Sequence, residues 1–521
     1  MRPNADAETD PLLARAAGRV ASRRTRPWPI ITRLAHHFST WSSLYLCGLF
    51  IFLIDYPGFM GDAAQVRMLE LGLCRDHYLI EDPSVIGGDG DIPEELCKAK
   101  EIQSTLARMR GYLQMLQYLI GIILAVPYGI LADTWGRKTI CFLGLLGAVG
   151  NDFWYFLSLY FYQVFPTKAV YAAPVFLVLG GGSVVLSAMI MAILAHASTE
   201  EIRTVVIFYC SVAIMVSELI APALGTFLMG TIGPHFTVLA GIPGYLISFP
   251  VLYFIKDEQP KPADDLETDD CENAGLNSSD YGDTTTAHES DYSSPDEGIP
   301  SKGKNPLLDA LRFIKDDVGG LLLRGSLLVG LASLMVHRVY RPLLALTLQY
   351  MSVRFNWPLK LANLLLSTQA AVQIPVFLFI MPLLYQFLLR RKGDAFSANL
   401  TQASFCLCLL ILGTLGMALA PIAPLFITFF IVYTLGNGFS SILRSLLTSL
   451  VPQEHFGLLY TTMALFEGVV SLAAPVIFGL TFSSGIEKGG VAMALPYFIA
   501  FGLYCLASLG MFRIEKPGIE I

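Results

Sequence analysis

About twelve stretches of roughly twenty apolar residues, separated by short polar breaks, leave this chain few ways to fold. A bilayer core of about 30 Å takes roughly 20 residues of helix to cross. Inside hydrocarbon each backbone N–H and C=O must find its partner within the protein, so every such stretch is predicted to be a helix. The runs fall near residues 38–58, 111–132, 139–162, 171–195, 204–230 and 235–255, and again near 323–350, 362–388, 400–420, 424–449, 457–481 and 491–512. Composition agrees: 54% of residues are apolar, 15% are charged and mean hydropathy is +0.57, whereas a soluble domain carries about a quarter charged residues. The expected fold is an all-α membrane protein with the lipid bilayer as its first partner. The net charge of −7 is concentrated in the acidic segments 62–101 and 257–300, so it defines no binding partner, and nothing points to nucleic acid.

Loop charge sets the orientation. Arg15, Arg19, Arg23, Arg24, Arg26 and Arg33 precede the first run, Arg137 and Lys138 follow the second, and Arg390, Arg391 and Lys392 follow the eighth. Both termini are therefore expected in the cytoplasm. Residues 1–34 are polar and basic and do not read as a cleavable signal, so the first helix is expected to act as its own insertion signal. The predicted organisation is a cytoplasmic tail at 1–34, a six-helix bundle at 35–256 with an extracytoplasmic loop at 59–110, a cytoplasmic linker at 257–322, a second bundle at 323–513 and a cytoplasmic tail at 514–521. The linker is rich in Asp, Glu, Ser and Thr and cannot bury enough apolar surface to offset the entropy of ordering it. Its sequon at Asn277 falls on the cytoplasmic side, where it would not be glycosylated.

The two halves resemble each other, as parallel repeats require. Helix four contains Gly180-Gly181-Gly182-Ser183, and helix ten carries Gly436-Asn437-Gly438-Phe439 about 256 positions later. Helix five has Ala221-Pro222-Ala223-Leu224-Gly225, and helix eleven has Ala474-Pro475 followed by Gly479. The Arg390-Arg391-Lys392 cluster stands where the second half would repeat the most specific segment of the first.

That segment is Gly129-Ile-Leu-Ala-Asp133-Thr-Trp-Gly136-Arg137-Lys138, in the polar break between the second and third runs. It resembles the loop between helices two and three of the major facilitator superfamily, whose pattern is Gly-x-x-x-Asp-(Arg/Lys)-x-Gly-(Arg/Lys)-(Arg/Lys). The resemblance implies the major facilitator fold, twelve transmembrane helices in two six-helix pseudo-repeats. It also implies that this loop closes the cytoplasmic side against the start of helix eleven when the carrier faces outward. Gly129, Asp133, Gly136, Arg137 and Lys138 are then the gate motif. Thr134 departs from the family's basic residue and puts one loop salt bridge in doubt. Physically, Asp133 can face the positive N-terminus of a neighbouring helix, and Gly136 permits a tight turn.

Ionisable groups inside spans cost roughly 2.5–3.5 kcal/mol each on insertion scales and face a cavity or a partner. Glu218 and Glu467 lie ten to fourteen residues into their helices, about 15–20 Å deep at 1.5 Å per residue. That is midplane depth, where a carboxylate can carry a proton or can simply bond a neighbouring helix. Asp152 follows Asn151 at a similar level, and Asp55 reads as close to the outer end of helix one. His337, Arg338 and Arg341 share one face of helix seven, in the outer half of a cavity, and either bind an anionic substrate or pair with Asp55 or Asp152. Arg444, near the cytoplasmic end of helix ten, is expected to snorkel or to pair at the gate. Glu218, Pro222 and Gly225 align on helix five, and the Pro-x-x-Gly portion weakly resembles the signature of the family's drug:proton antiporters; close helix packing explains it equally well.

Most of the nine cysteines fall within spans as small packing residues. Cys74 and Cys97 instead lie in the predicted extracytoplasmic loop, where they are either a disulfide or two free thiols. Glu8-Thr-Asp-Pro-Leu12-Leu13 fits an acidic dileucine sorting pattern, which would divert the chain from the plasma membrane to a vacuolar or endosomal membrane. No phosphate-cradling loop, metal-ligand spacing or nucleophile motif is present, so neither cofactor, metal nor enzymatic activity is expected.

The loop after helix one with its two cysteines, Leu348-Gln349-Tyr350 and the acidic linker resemble filamentous-fungal carriers of this superfamily, which often resemble exporters of toxins and secondary metabolites. The resemblance implies a monomeric, proton-coupled efflux carrier working by alternating access on small organic compounds. The alternatives are proton-coupled uptake of an organic anion such as a folate-like carboxylate, and a non-transporting nutrient receptor with the same fold.

Overall fold

The computed structural model describes residues 29–87, 90–197, 200–255, 325–451 and 456–514. The tails before Pro29 and after Ile514 lie outside these residues, as do the linker 257–322 with its sequon and the dileucine pattern. All regular structure among the described residues is helical. Twelve helices are long and apolar enough to cross a membrane. In the first half they are α1 (Tyr45–Glu81), α2 (Lys100–Ala132), α3 (Arg137–Tyr160), α4 (Thr167–Leu194), α5 (Val212–Thr231) and α6 (Gly233–Phe254). The second half has α7 (Gly325–Phe355), α8 (Leu359–Lys392), α9 (Ala395–Leu419), α10 (Ala423–Thr448), α11 (Thr462–Lys488) and α12 (Gly490–Met511).

The first helix differs most from the sequence reading. It is continuous from Pro29 to Glu81, 53 residues, so the loop expected at 59–110 shrinks to the connection between Glu81 and Lys100. The charges of residues 62–81 suggested solvent, but the fold gives several of them partners inside the protein, while Asp76 and Glu81 near the helix end stay exposed. Arg67 Nη1 bonds Glu70 Oε2 at 2.7 Å with both side chains buried, and Arg110 Nη2 stands 3.5 Å from Asp62 Oδ1. The same extension moves Asp55 from the outer end of its helix to the interior of α1.

A small core of Leu71, Cys74, Ile92, Cys97 and Ile102 anchors the connection. Cys74 and Cys97 are joined as a disulfide, with their Cα atoms 5.3 Å apart. This side of the molecule is called the loop end, and the side bearing residues 129–138 the motif end.

Between the halves, α2 lies along α11 and α5 along α8; within the first half α1 packs on α5, and within the second α9 packs on α10 and α12. Small residues make the crossings close. A Cβ on Gly111 would meet the Pro475 carbonyl at 2.6 Å, and one on Gly479 would meet Ala107 O at 2.7 Å, so each helix supplies a glycine to the α2–α11 contact. Gly225, in the Pro-x-x-Gly stretch of α5, lets that helix close on Met60 of α1, where a Cβ would stand 2.3 Å from the carbonyl. Close packing therefore accounts for Gly225 without a signature role.

Gly180, Gly181 and Gly182 all have positive φ, 81°, 75° and 65°, where a glycine run turns the 3₁₀ segment Thr167–Val178 into the helix Gly182–Ala197. Its counterpart in α10, Gly436–Gly438, is also a 3₁₀ break, with right-handed dihedrals at its caps.

Two outcomes are expected. In denatured protein, a maleimide should modify seven of the nine cysteines before reduction and all nine after it; nine modified thiols without reductant would exclude the Cys74–Cys97 bond. Gly225→Leu should lower the melting temperature of the detergent-solubilised protein, because overpacking a tight contact costs about 1–3 kcal/mol. Gly502→Ala, at a position with nothing within 4 Å of the added Cβ, should leave it unchanged.

Candidate functional site

Three helix irregularities surround one cavity. Helix α7 is interrupted at Val339, between Gly325–Arg338 and Tyr340–Phe355; Pro342 cannot donate to the Arg338 carbonyl and crowds it. After Pro375, α8 passes through a π turn at Val376–Ile380. The third break is the 3₁₀ turn of α10. Irregular backbone at membrane depth is tolerated where it is enclosed by protein or lines a polar cavity. The cavity here has a volume of about 170 Å³ and is lined by Leu334, His337, Arg338, Tyr340 and Arg341 of α7, Gln373 and Phe377 of α8, Asn437, Ser440 and Arg444 of α10, and Glu467 of α11.

Most of the predicted charges meet in or beside it. Arg341 is exposed although it stands near the middle of α7; at that depth solvent reaches it through the cavity. Its guanidinium is close enough to Glu218 and Asp55 for direct electrostatic attraction across the two halves. Glu218 is buried at 6% exposure and accepts from Gln369 Nε2 at 3.1 Å, and the same amide bonds the Tyr340 hydroxyl. Tyr340 in turn stacks on His337, with centroids 6.0 Å apart and planes 5° from parallel. Arg444 pairs with Glu467, so the basic residue expected at the gate instead holds the midplane acid. Arg338 Nε reaches Ser471 Oγ at 3.2 Å, and that hydroxyl donates to Glu467 O at 2.8 Å.

Asp152 stands apart from this group. It is buried in the first half and accepts from Asn151 at 3.0 Å, Tyr245 at 3.3 Å and Gln65 at 3.4 Å. It ties α1, α3 and α6 together and does not reach the α7 arginines.

The sequence reading did not single out Tyr340, Gln369, Gln373 or Ser471, and it noted Asn437 only within a repeat. Their signal is one of position: polar groups on α7, α8, α10 and α11 at the depth of the charged residues.

At the loop end a second polar group joins the halves. Glu70, 1% exposed, accepts from Gln103 Nε2, and Gln349 Nε2 donates to Gln103 O at 2.9 Å. Ser104 Oγ lies 2.8 Å from both Ser483 Oγ and Glu487 Oε1. The disulfide-bound connection adds Leu359 N to Glu94 Oε1 at 2.9 Å and Lys98 Nζ to Trp357 O at 3.3 Å. Hydrogen bonds between described residues of the two halves thus run from the midplane to the loop end. A cavity of about 660 Å³ lies nearby, between Arg67, Arg75, Tyr162 and His235. Its arginines are engaged by the chain itself, Arg67 with Glu70 and Ile92 O, and Arg75 with Gly90 O and over the Tyr162 ring at 4.0 Å.

In the 129–138 motif, Gly136 has φ 86° and ψ 144°, a conformation reserved to glycine, and joins the end of one helix to the start of the next. Gly129 has nothing within 4 Å of an added Cβ. Lys138 Nζ reaches Tyr253 O at 3.5 Å, and Thr134 Oγ1 donates to Leu131 O within its own helix. The Asp133 side chain and residues 452–455, where the gate contact is expected, lie outside the described residues.

A sequence profile of the Major Facilitator Superfamily matches residues 102–475. Among known proteins, the chain is 28% identical over 487 residues to the MFS efflux pump atnC of Emericella nidulans, covering 91% of this chain and 87% of the relative. It is 26% identical over 468 residues to the efflux pump ustT of Aspergillus flavus, covering 88% and 85%. Its fold is similar to the crystal structure of a D-xylose–proton symporter, with TM-score 0.56, 14% identity and coverage of 91% and 98%. A peptide transporter gives TM-score 0.55 at 14% identity, with coverage of 91% and 94%.

The Arg444–Glu467 pair predicts a coupled response. Arg444→Met should lower the melting temperature by leaving Glu467 unpaired, Glu467→Gln should lower it less, and the double variant should recover part of the Arg444→Met loss. Strictly additive melting shifts would dissolve the pair.

Proposed function

Since the chain belongs to the Major Facilitator Superfamily, we propose that it exports small organic compounds in exchange for protons. The chain is a secondary transporter embedded in the membrane, and not an enzyme. Relatives whose names designate efflux pumps, aligned over most of both chains, support the outward direction. The basic 129–138 motif supports a cytoplasmic motif end and termini, and a plasma-membrane carrier is the simplest setting.

One observation carries the coupling. A buried carboxylate, Glu218, is joined through Gln369 to Tyr340, which lines the cavity. When Glu218 is charged it is held by the Gln369 amide and by the attraction of Arg341. Protonation removes that attraction and changes what Glu218 asks of the amide, so the carboxylate's state is felt at the cavity wall. Glu467 is a second candidate, but its state is bound to Arg444. Asp55 shares the field of Arg341 and is the third.

With the loop-end bonds in place, the halves are held together on that side and the cavity serves the motif end. Outward opening requires those bonds to break and the motif end to close, which is the role the resemblance assigns to Gly129, Asp133, Gly136, Arg137 and Lys138. Uptake of an organic anion would use the same cavity with the opposite sign of coupling, so one assay separates the two.

In proteoliposomes loaded with an acidic lumen, outward proton flow should drive accumulation of a small organic cargo. Accumulation only when the outside is the acidic side would establish symport and overturn the export reading. Glu218→Gln should abolish gradient-driven accumulation while downhill exchange persists; Glu467→Gln tests the second carboxylate. Unchanged gradient-driven transport in both would remove these residues from the proton path. Asp133→Ala should slow turnover with equilibrium cargo binding largely intact, and lost binding would move Asp133 from the gate to the site.

A further inference from the structure

The cavity holds an under-used hydrogen-bonding group. Asn437 lies in the 3₁₀ turn of α10 and is 4% exposed; its amide makes no hydrogen bond of normal geometry within the chain, although it stands near enough to the Tyr340 hydroxyl of the cavity wall to interact with it. The neighbouring His337 Nδ1 is also buried without a hydrogen-bond partner. A buried polar group left unpaired costs about 1–3 kcal/mol, and a packed helix bundle would ordinarily relieve that cost by rotating the side chain. Here the turn is fixed. A Cβ on Gly436 would meet Cys406 O at 2.7 Å, and one on Gly438 would meet the Met381 side chain at 2.8 Å, so close packing on both sides of Asn437 holds its backbone in place at the cavity wall.

The residues that line the cavity carry more base than acid, with Glu218 and Asp55 standing behind the wall in the field of Arg341. Among the lining residues, Arg338, Arg341 and Arg444 face a single acid, Glu467, and Arg444 takes it. No described carboxylate lies within 4.0 Å of Arg338 or Arg341; the nearest polar partner of Arg338 is the neutral Ser471. Two guanidinium groups with hydrogen-bonding capacity to spare bind carboxylates in preference to cations. The rest of the wall mixes Leu334, Tyr340 and Phe377 with the polar side chains of His337, Gln373 and Ser440.

We infer that this cavity takes organic acids in which an amide or lactam lies beside the carboxylate: the carboxylate meets Arg338 and Arg341, and the cargo's amide edge pairs donor to acceptor with Asn437. Asn437 is then a specificity-determining residue. The inference rests on the transporter reading and narrows its cargo.

Three probes separate its parts. N-Benzoylglycine carries phenyl, amide and carboxylate; 4-phenylbutyrate keeps the phenyl and carboxylate without the amide; N-benzylacetamide keeps the phenyl and amide without the charge. Binding to the purified, full-length carrier should be tightest for N-benzoylglycine, by about tenfold over 4-phenylbutyrate, the value of one well-made buried hydrogen bond. Asn437→Leu should erase that preference and leave 4-phenylbutyrate binding unchanged. Asn437→Asp, nearly isosteric and so the safer variant for folding, should weaken both acids at least tenfold by adding a carboxylate. Arg338→Gln and Arg341→Gln should weaken both acids and spare the neutral amide. The inference fails if N-benzylacetamide or a cationic dye such as ethidium binds as tightly as the acids, or if Asn437→Asp leaves acid binding unchanged. Proton-driven transport of ethidium without acid binding would overturn the cargo assignment and leave the transporter reading standing.

Discussion

A charge inside a bilayer must be paired, hydrated through a cavity or neutralised, and most of this fold can be read as the solution to that one constraint. Along α1 the solution for the buried charges is internal: Arg67 takes Glu70, and Asp62 faces Arg110 of α2. Asp152 is satisfied by three neutral donors and spends its charge on holding the first half together. Around the α7–α8–α10–α11 cavity the solution is incomplete, and there the backbone is also irregular. The two facts have one cause. A helix that lines a polar cavity can leave its regular hydrogen-bond ladder, because the freed groups are not presented to lipid.

The same accounting explains how the halves meet. Lipid tails are as apolar as leucine, so helix association here relies on close packing and polar contacts more than on hydrophobic burial. Glycines bring α2 onto α11 and α5 onto α1, and the Glu70–Gln103–Gln349 and Ser104–Ser483–Glu487 groups join the halves beyond the midplane. These contacts are polar and few, which suits an interface that must separate during a transport cycle. The disulfide between Cys74 and Cys97 holds the short connection whose Glu94 and Lys98 reach across to Leu359 and Trp357.

Helix count, repeat and family were legible because each rests on a signal longer than one residue: apolar runs of bilayer length, glycine patterns at one offset, a ten-residue loop. The length of α1 was not legible, because charged residues at 62–81 look the same in a loop and in a buried ion pair until the partner helix is known. Asp55 was misplaced for that reason. Glu218, Glu467, Arg338 and Arg341 were candidates from the start because a charge at membrane depth stands out in any sequence; the structure brings them in or beside one cavity. Asn437, Gln369 and Tyr340 were not, because amides and phenols are common in helices; only the packing of α5 against α8 and the turn in α10 give them work to do.

The charges around the cavity are drawn from both halves. Asp55 and Glu218 come from the first half, Glu467, Arg338, Arg341 and Arg444 from the second, and Arg341 is the base that feels both first-half acids. A rigid-body movement of one half against the other changes the distance between those charges more than any distance within a half. The energy of the Arg341–Glu218 attraction therefore depends on which way the carrier faces, and so does the ease of protonating Glu218. Gln369, on α8 but bonded to α5, senses the same movement and passes it to Tyr340 in the cavity. The proton exchange proposed above would need no long pathway to the cargo: one amide stands between a carboxylate on one half and a phenol on the other.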